Sequence, residues 1–194
     1  VDAGVAAAGH KAEHVDVVAI SHCHPDHIGH IGAFPNADIV IGKREFDYWK
    51  AGAGVAEPRA VTKALFDKVV APLEDTLRFI EPGDEIVPGL IAVDAFGHSA
   101  GHLVFRLTSG EKELLLLNDT TPHYVASFTR PEWHFIMDDD ADAAAITRKR
   151  ILEMAASEEL PVVGFHLPFP ALGHVERRGE GYEFRPATYQ FNLS

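Results

Sequence analysis

A single cysteine, Cys23, stands among the 194 residues, so no intrachain disulfide can form and the fold must rest on its core. Positive charge is also scarce. The 17 lysines and arginines face 29 acidic residues, a formal net charge of -12. That balance argues against a nucleic-acid partner, which would require clustered basic residues. The two short basic clusters, Arg148-Lys149-Arg150 and Arg177-Arg178, read as solvated surface. No apolar run approaches the roughly 20 residues of a membrane helix, so no membrane association is expected. The opening Val1-Asp2-Ala3-Gly4 lacks the basic-then-apolar order of a signal peptide. It reads instead as the end of a strand, with upstream strands and any localisation signal expected outside the sequence. A lone cysteine fits a reducing compartment, which favours the cytoplasm and leaves the periplasm or export open.

What the chain has in quantity is histidine, 12 residues in all. Histidine is the commonest metal ligand and the main acid/base group near neutral pH. The length suits one domain, residues 1–194, with a sizeable core. Short β-branched runs at Val15–Ile20 and Ala37–Ile41 read as strands, and Lys43–Lys50 and Arg59–Val70 as helices. Short strands are then expected at Leu77–Ile80, Glu85–Val87, Leu90–Asp94, Leu103–Thr108 and Glu113–Leu117, separated by turn signals. Asp140–Ser157 is the strongest helix, with acids crowding its start where the helix dipole favours them. Val162–Phe165 and a hairpin of Val175–Arg178 with Tyr182–Arg185 complete the pattern. Strands grouped with strands and helices interspersed predict an α/β (α+β) fold of sheets packed face to face, with helices outside.

The densest chemistry lies in His22-Cys23-His24-Pro25-Asp26-His27. Alternate residues of an extended segment point the same way, so His22 and His24 can grip one metal. Asp26 and His27 follow a turn later and can face a neighbouring position. Imidazole and carboxylate ligands suit zinc, manganese or iron. Cys23, between two ligand positions, should point away as a small buried filler. Further along, Phe96-Gly97-His98-Ser99-Ala100-Gly101-His102 offers two histidines between strands, and Leu114–Leu117 leads into Asn118-Asp119. An ionisable residue after four leucines needs a partner, because burying an unpaired charge is costly. Metal coordination and a turn cap answer that need equally well. Val162–Phe165 finally delivers His166. Each of these groups follows an apolar strand, as when a rigid scaffold holds a site at one rim.

The H-x-H-x-D-H run, the later G-H-S-A-G-H, the Asn118-Asp119 pair and the terminal strand with His166 resemble the metallo-β-lactamase superfamily. The tail Gly164–Val175 and Phe34-Pro35-Asn36-Ala37 resemble most the branch of methyl parathion hydrolase, with the N-acyl-homoserine lactonases as neighbours. The resemblance implies an αββα sandwich with a dinuclear centre. His22, His24 and His98 would hold one metal, and Asp26, His27 and His166 the other. Asp119 would bridge them together with a water or hydroxide, which makes Asp26 and Asp119 the carboxylates of the reacting centre. The metals implied are two divalent ions, zinc first, with manganese, iron or cobalt also accommodated. Their residual positive charge would lower the pKa of the bound water and polarise a substrate oxygen. His102 falls outside the ligand set and reads as a supporting residue. The sequence departs from the pattern at Asn118, where glycine is usual, with a slight shift of the Asp119 backbone expected. It also departs at His30, which reads as a surface histidine. Gly4–Val5 and Gly29–Ala33 are short against the pattern, as if loop residues were omitted.

The resemblance implies a hydrolase for a small ester, lactone or phosphotriester, that is, a lactonase, arylesterase or phosphotriesterase. Related diiron flavoproteins have Glu in place of His24. The zinc β-lactamases have Cys in place of Asp119. The acidic charge speaks against the RNA-processing members. The alternative function is a metal-containing binding or regulatory protein without turnover. Trp49 and Phe169 are the favoured pocket aromatics among Phe34, Trp49, Tyr124, Trp133, Phe135 and Phe169, and His123 is a candidate substrate contact. A homodimer is compatible with this reading.

Overall fold

The computed structural model describes residues 2–52 and 59–187. Three parallel strands, β1 (Val17–Ile20), β2 (Asp38–Gly42) and β3 (Arg78–Ile80), form one sheet. Seven form the other: β4 (Glu85–Val87), β5 (Leu90–Asp94), β6 (Leu103–Ser109), β7 (Lys112–Asn118), β8 (Pro161–Gly164), β9 (Leu172–Arg178) and β10 (Gly181–Pro186). They lie in the order β10-β9-β8-β7-β6-β5-β4, antiparallel except for the β7–β8 pair. The helices are α1 (Asp2–Ala7), α2 (Pro25–Ile28), α3 (Lys43–Ala51), α4 (Ala60–Val69), α5 (Ala126–Thr129) and α6 (Ala141–Ser157). Among the described residues, none is long and apolar enough to cross a membrane.

Side-chain alternation along the strands sorts the core into three layers. Between the sheets lie Val40, Ile80, Ile86, Ala92, Leu103 and Phe105. Ile41, one residue on from Val40, turns outward with Ile20, Phe46, Trp49, Phe66 and Val70, where α3 and α4 cover the small sheet. On the far side Val104, Leu115 and Leu117 meet Ile151, Leu152 and Ala155 of α6. This helix–sheet–sheet–helix order is the αββα sandwich that the resemblance implies.

Several details differ from the sequence reading. The opening segment is α1 from Asp2 onward rather than a strand end. Its alanines favour a helix when no neighbouring strand pairs with them. In α4, Val61 is exposed and Thr62 is buried. Arg148 is not surface. It lies on the face of α6 that also buries Ala144, Ala145, Ile151, Leu152 and Ala155, and it is only 2% exposed. Asp140 rather than a general acidic field starts α6, its side chain accepting from the Ala143 amide at 3.0 Å.

Candidate metal centre

Four chain segments converge at one rim of the sandwich. His22 and His24 follow β1, and Asp26 and His27 lie in the single turn of α2, whose Pro25 sits in its first turn. His98 lies in the turn after β5, Asp119 directly follows β7, and His166 follows β8. The side chains fall into two groups. His22, His24 and His98 form one, all buried, and Asp26, His27, Asp119 and His166 form the other. Within each group the potential ligand atoms lie within 4.8 Å of one another.

Asp119 joins the groups. Its Oδ2 lies 3.4 Å from His98 Nε2 and 3.8 Å from His22 Nε2 on one side. On the other it lies 3.1 Å from His166 Nε2, while Oδ1 is 3.1 Å from His27 Nε2. His24 Nδ1 faces His98 Nε2 at 2.9 Å. Among the described residues, the buried Nε2 atoms of His22 and His27 and Oδ1 of Asp119 have no hydrogen-bond partner. Leaving such groups unpaired costs about 1–3 kcal/mol each. Their convergence on one spot is therefore the test that a metal site must pass, and imidazole with carboxylate is the donor set that divalent cations take. The residues present fit such a group.

The surroundings set the electrostatics. Burial holds His22 well below the ordinary histidine value, and burial followed by His98 lowers His24 to about 2. Burial would lower His98 too, but hydrogen bonds with Asp119 and Asp138 outweigh it and raise that residue to about 9. Burial would raise Asp119, but the imidazoles of His27, His98 and His22 close to it outweigh that and hold it well below the usual carboxylate range. His102 is lowered to about 3, mainly by burial.

These shifts carry a sign. Lowered values at His22, His24, His102 and Asp119 mean stability that is present near neutrality and lost as pH falls below each group's unfolded value. For the three histidines that loss starts near pH 6.5. The raised His98 contributes below pH 6.5, and its contribution is lost as pH rises through about 9. Melting temperature of chelator-treated protein is expected to peak near neutral pH and fall on both sides. A profile still rising between pH 6 and pH 4 would contradict this.

Several supporting residues lay beyond sequence reasoning. Asp138 accepts a hydrogen bond from His98 Nδ1 at 2.9 Å, which aims Nε2 toward His24 and Asp119. Glu45, 0% exposed, accepts from the backbone of both histidine loops. Phe165 holds its ring tilted 42° against that of His27, with the centroids 4.2 Å apart. His102 does support the site. Its Nδ1 bonds the Ala95 carbonyl at 2.9 Å, and its Nε2 accepts the Asp119 amide at 3.2 Å. Asn118 takes the glycine position with φ 46°, a left-handed conformation that Asn tolerates, and its side chain donates to the Leu103 carbonyl at 2.8 Å. Cys23 is a buried filler as expected, and His30 is exposed.

The pocket candidates fare differently. Trp49 is a correction: it is fully buried in the core, edge-on to His24, with its indole N–H on Glu45 at 2.7 Å. It packs behind the histidine and offers no face to a substrate. Phe169 is 86% exposed, whereas its neighbour in sequence Phe165 lies against His27. The His123 ring accepts the amides of Val125 and Ala126 at 3.1 Å and so caps α5.

Residues 2–166 match the family described as the metallo-beta-lactamase superfamily. An N-acyl homoserine lactonase of Bacillus cereus is 28% identical over 160 residues, 81% of this chain and 57% of the relative. The N-acyl homoserine lactonase AttM of Rhizobium johnstonii is 31% identical over 136 residues, 66% of this chain and 48% of the relative. The chain thus spans about half the length of these relatives. Among solved structures, the dizinc quorum-quenching lactonase AidC, in complex with a product N-hexanoyl-L-homoserine, superposes with a TM-score of 0.89 at 27% identity, covering 97% of this chain and 70% of that one. The hydrolase AbOPH of the beta-lactamase superfamily gives 0.88 at 25%, covering 98% and 70%. Together with the αββα layers and the convergence of His22, His24, Asp26, His27, His98, Asp119 and His166, this match places the chain in the metallo-β-lactamase superfamily.

Proposed function

We propose that this protein is a metal-dependent hydrolase of the lactonase type, using two divalent cations, zinc foremost. The observation that carries this reading is the convergence of orphaned buried nitrogens and the Asp119 carboxylate into two groups sharing that carboxylate. His22, His24 and His98 take one cation, Asp26, His27 and His166 the other, and Asp119 both. Two such cations supply Lewis-acid polarisation and a water of lowered pKa. The similarity to N-acyl homoserine lactonases supports a lactone as substrate, and an N-acyl homoserine lactone is the first choice.

The chain's own residues divide the remaining work. The first group is fully enclosed, so it holds and orients. The second is open, with the side chains of Asp26 and His166 47% and 39% exposed, so the ester must approach there. Hydrolysis adds water across the ring C–O bond and yields a hydroxy acid. Asp26, beside His166 at 3.6 Å and reachable by solvent, is placed to take up the proton that the adding water releases and to pass it to the leaving alkoxide. Phe165 against His27 narrows the opening on one side.

Purified protein grown with added zinc is expected to carry close to two metals per chain. It should turn over N-acyl homoserine lactones in a panel that also holds aryl esters and phosphotriesters. Chelation should abolish turnover and lower the melting temperature. A cation at about 100 times its Kd stabilises by about 2.7 kcal/mol, roughly 5–10 °C for a chain of this size. Metal-free protein from zinc-supplemented growth would overturn the assignment. Two bound metals with no turnover of any ester would leave a binding or regulatory protein.

A further inference from the structure

We propose that Glu45 is a positioning residue for the buried half of the metal centre, clamping together the two loops that carry His22, His24 and His98. The inference rests on the two-cation reading above. Glu45 lies on the first turn of α3, far in sequence from both loops and fully buried. Its Oε1 accepts the Cys23 amide at 2.8 Å, and that amide sits between His22 and His24. Oε1 and Oε2 both accept the Ser99 hydroxyl, at 2.7 and 2.8 Å, and Oε2 accepts the Gly101 amide at 2.8 Å. Ser99 directly follows His98. The Trp49 indole on Oε1 fixes the carboxylate from its own helix. Every one of these donors is neutral.

A buried carboxylate is costly unless its lone pairs are filled, and here four donors fill them. Burial pushes its pKa up, and the bonds from Ser99, Cys23, Trp49 and Gly101 oppose that rise. The loops also touch the helix directly. Gly101 lies against the backbone of Glu45, where a Cβ would collide. The ligand nitrogens of one loop are thereby fixed relative to those of the other. A cation demands donors placed to a fraction of an ångström, and misplacement is paid in affinity. A glutamine cannot replace this clamp. It keeps one acceptor oxygen and turns the other into a donor facing either the Cys23 or the Gly101 amide.

The test is zinc titration against a competing chelator, on protein shown folded by circular dichroism. Glu45→Gln should weaken one site by about 10- to 100-fold, the range for partners that orient ligands, and leave the other within about twofold. The weakened site is assigned by pairing. Combined with His166→Ala, Glu45→Gln should weaken the site that remains, whereas combined with His24→Ala it should change the remaining site little. Ser99→Ala removes one donor without burying a new group, and should weaken the same site several-fold. It decides the matter if Glu45→Gln does not fold. Equal weakening of both sites, or a folded Ser99→Ala with unchanged affinity, overturns the clamp. A wild-type protein that binds no zinc overturns instead the two-cation reading on which it stands.

Discussion

Asp119→Ala is expected to strip the protein of most of its bound metal and to lower lactone hydrolysis by more than about 100-fold. Changes to partners that merely orient a ligand already cost 10- to 100-fold, and Asp119 faces both groups itself. Four imidazole nitrogens surround its two oxygens at 3.1 to 3.8 Å: those of His22, His27, His98 and His166. Without the carboxylate, two dications would stand close together with one anionic ligand fewer between them. The comparison that isolates the bridge is Asp26→Ala. Asp26 faces the open group, with its Oδ2 at 3.5 Å from His27 and 3.6 Å from His166. That variant should keep about one metal per chain, held by His22, His24 and His98. Elemental analysis of both variants, with turnover measured in parallel, checks the pair. If Asp119→Ala retained two metals, the bridging role would be lost.

The two converging groups of side chains were legible because their chemistry is local. Two histidines one residue apart on an extended segment must share a face, and a charged residue after four leucines needs a partner. Strand-end placement then gathers His98, Asp119 and His166, since the sheet brings distant strands side by side. The layers were legible for the same reason: Leu103 and Phe105 against Val104 is a period-2 pattern that assigns opposite faces. The supporting carboxylates were not. Asp138 sits in the acidic stretch before α6, where the dipole explains any acid equally well, yet it reaches back 40 residues to His98. Glu45 looks like one of many exposed helical acids, because nothing in its neighbourhood in sequence announces Cys23, Ser99 and Gly101 as donors. Trp49 was read as a pocket wall because the resembling family places pocket aromatics there. Its indole N–H instead finds the buried carboxylate one helical turn away. Arg148 was misread through its neighbours Lys149 and Arg150. Only the period of α6 separates the buried position from the two exposed ones.

That buried arginine supplies the largest stability effect. Arg148→Met, which keeps the apolar volume, is expected to cost about 3–5 kcal/mol, the usual loss when one partner of a buried ion pair is removed. For a chain of this length the melting temperature should fall by roughly 6–20 °C. The guanidinium holds four acceptors: the carbonyls of Thr120, Pro131 and Trp133 at 2.8 to 3.0 Å, and Asp138 Oδ2 at 3.2 Å. Asp138 in turn orients His98, so metal affinity at the His22, His24 and His98 group should fall with stability. The same geometry predicts non-additivity. Asp138→Asn alone removes the anion that Arg148 neutralises but keeps an oxygen for His98. In the double variant no unpaired carboxylate remains beneath His98, so its loss should be smaller than the two single losses summed. Groups in one buried network couple by about 0.5–3 kcal/mol, well within the resolution of denaturant titrations. Strict additivity would mean that Arg148 acts on the carbonyls of residues 120, 131 and 133 alone, and that His98 takes its orientation from elsewhere.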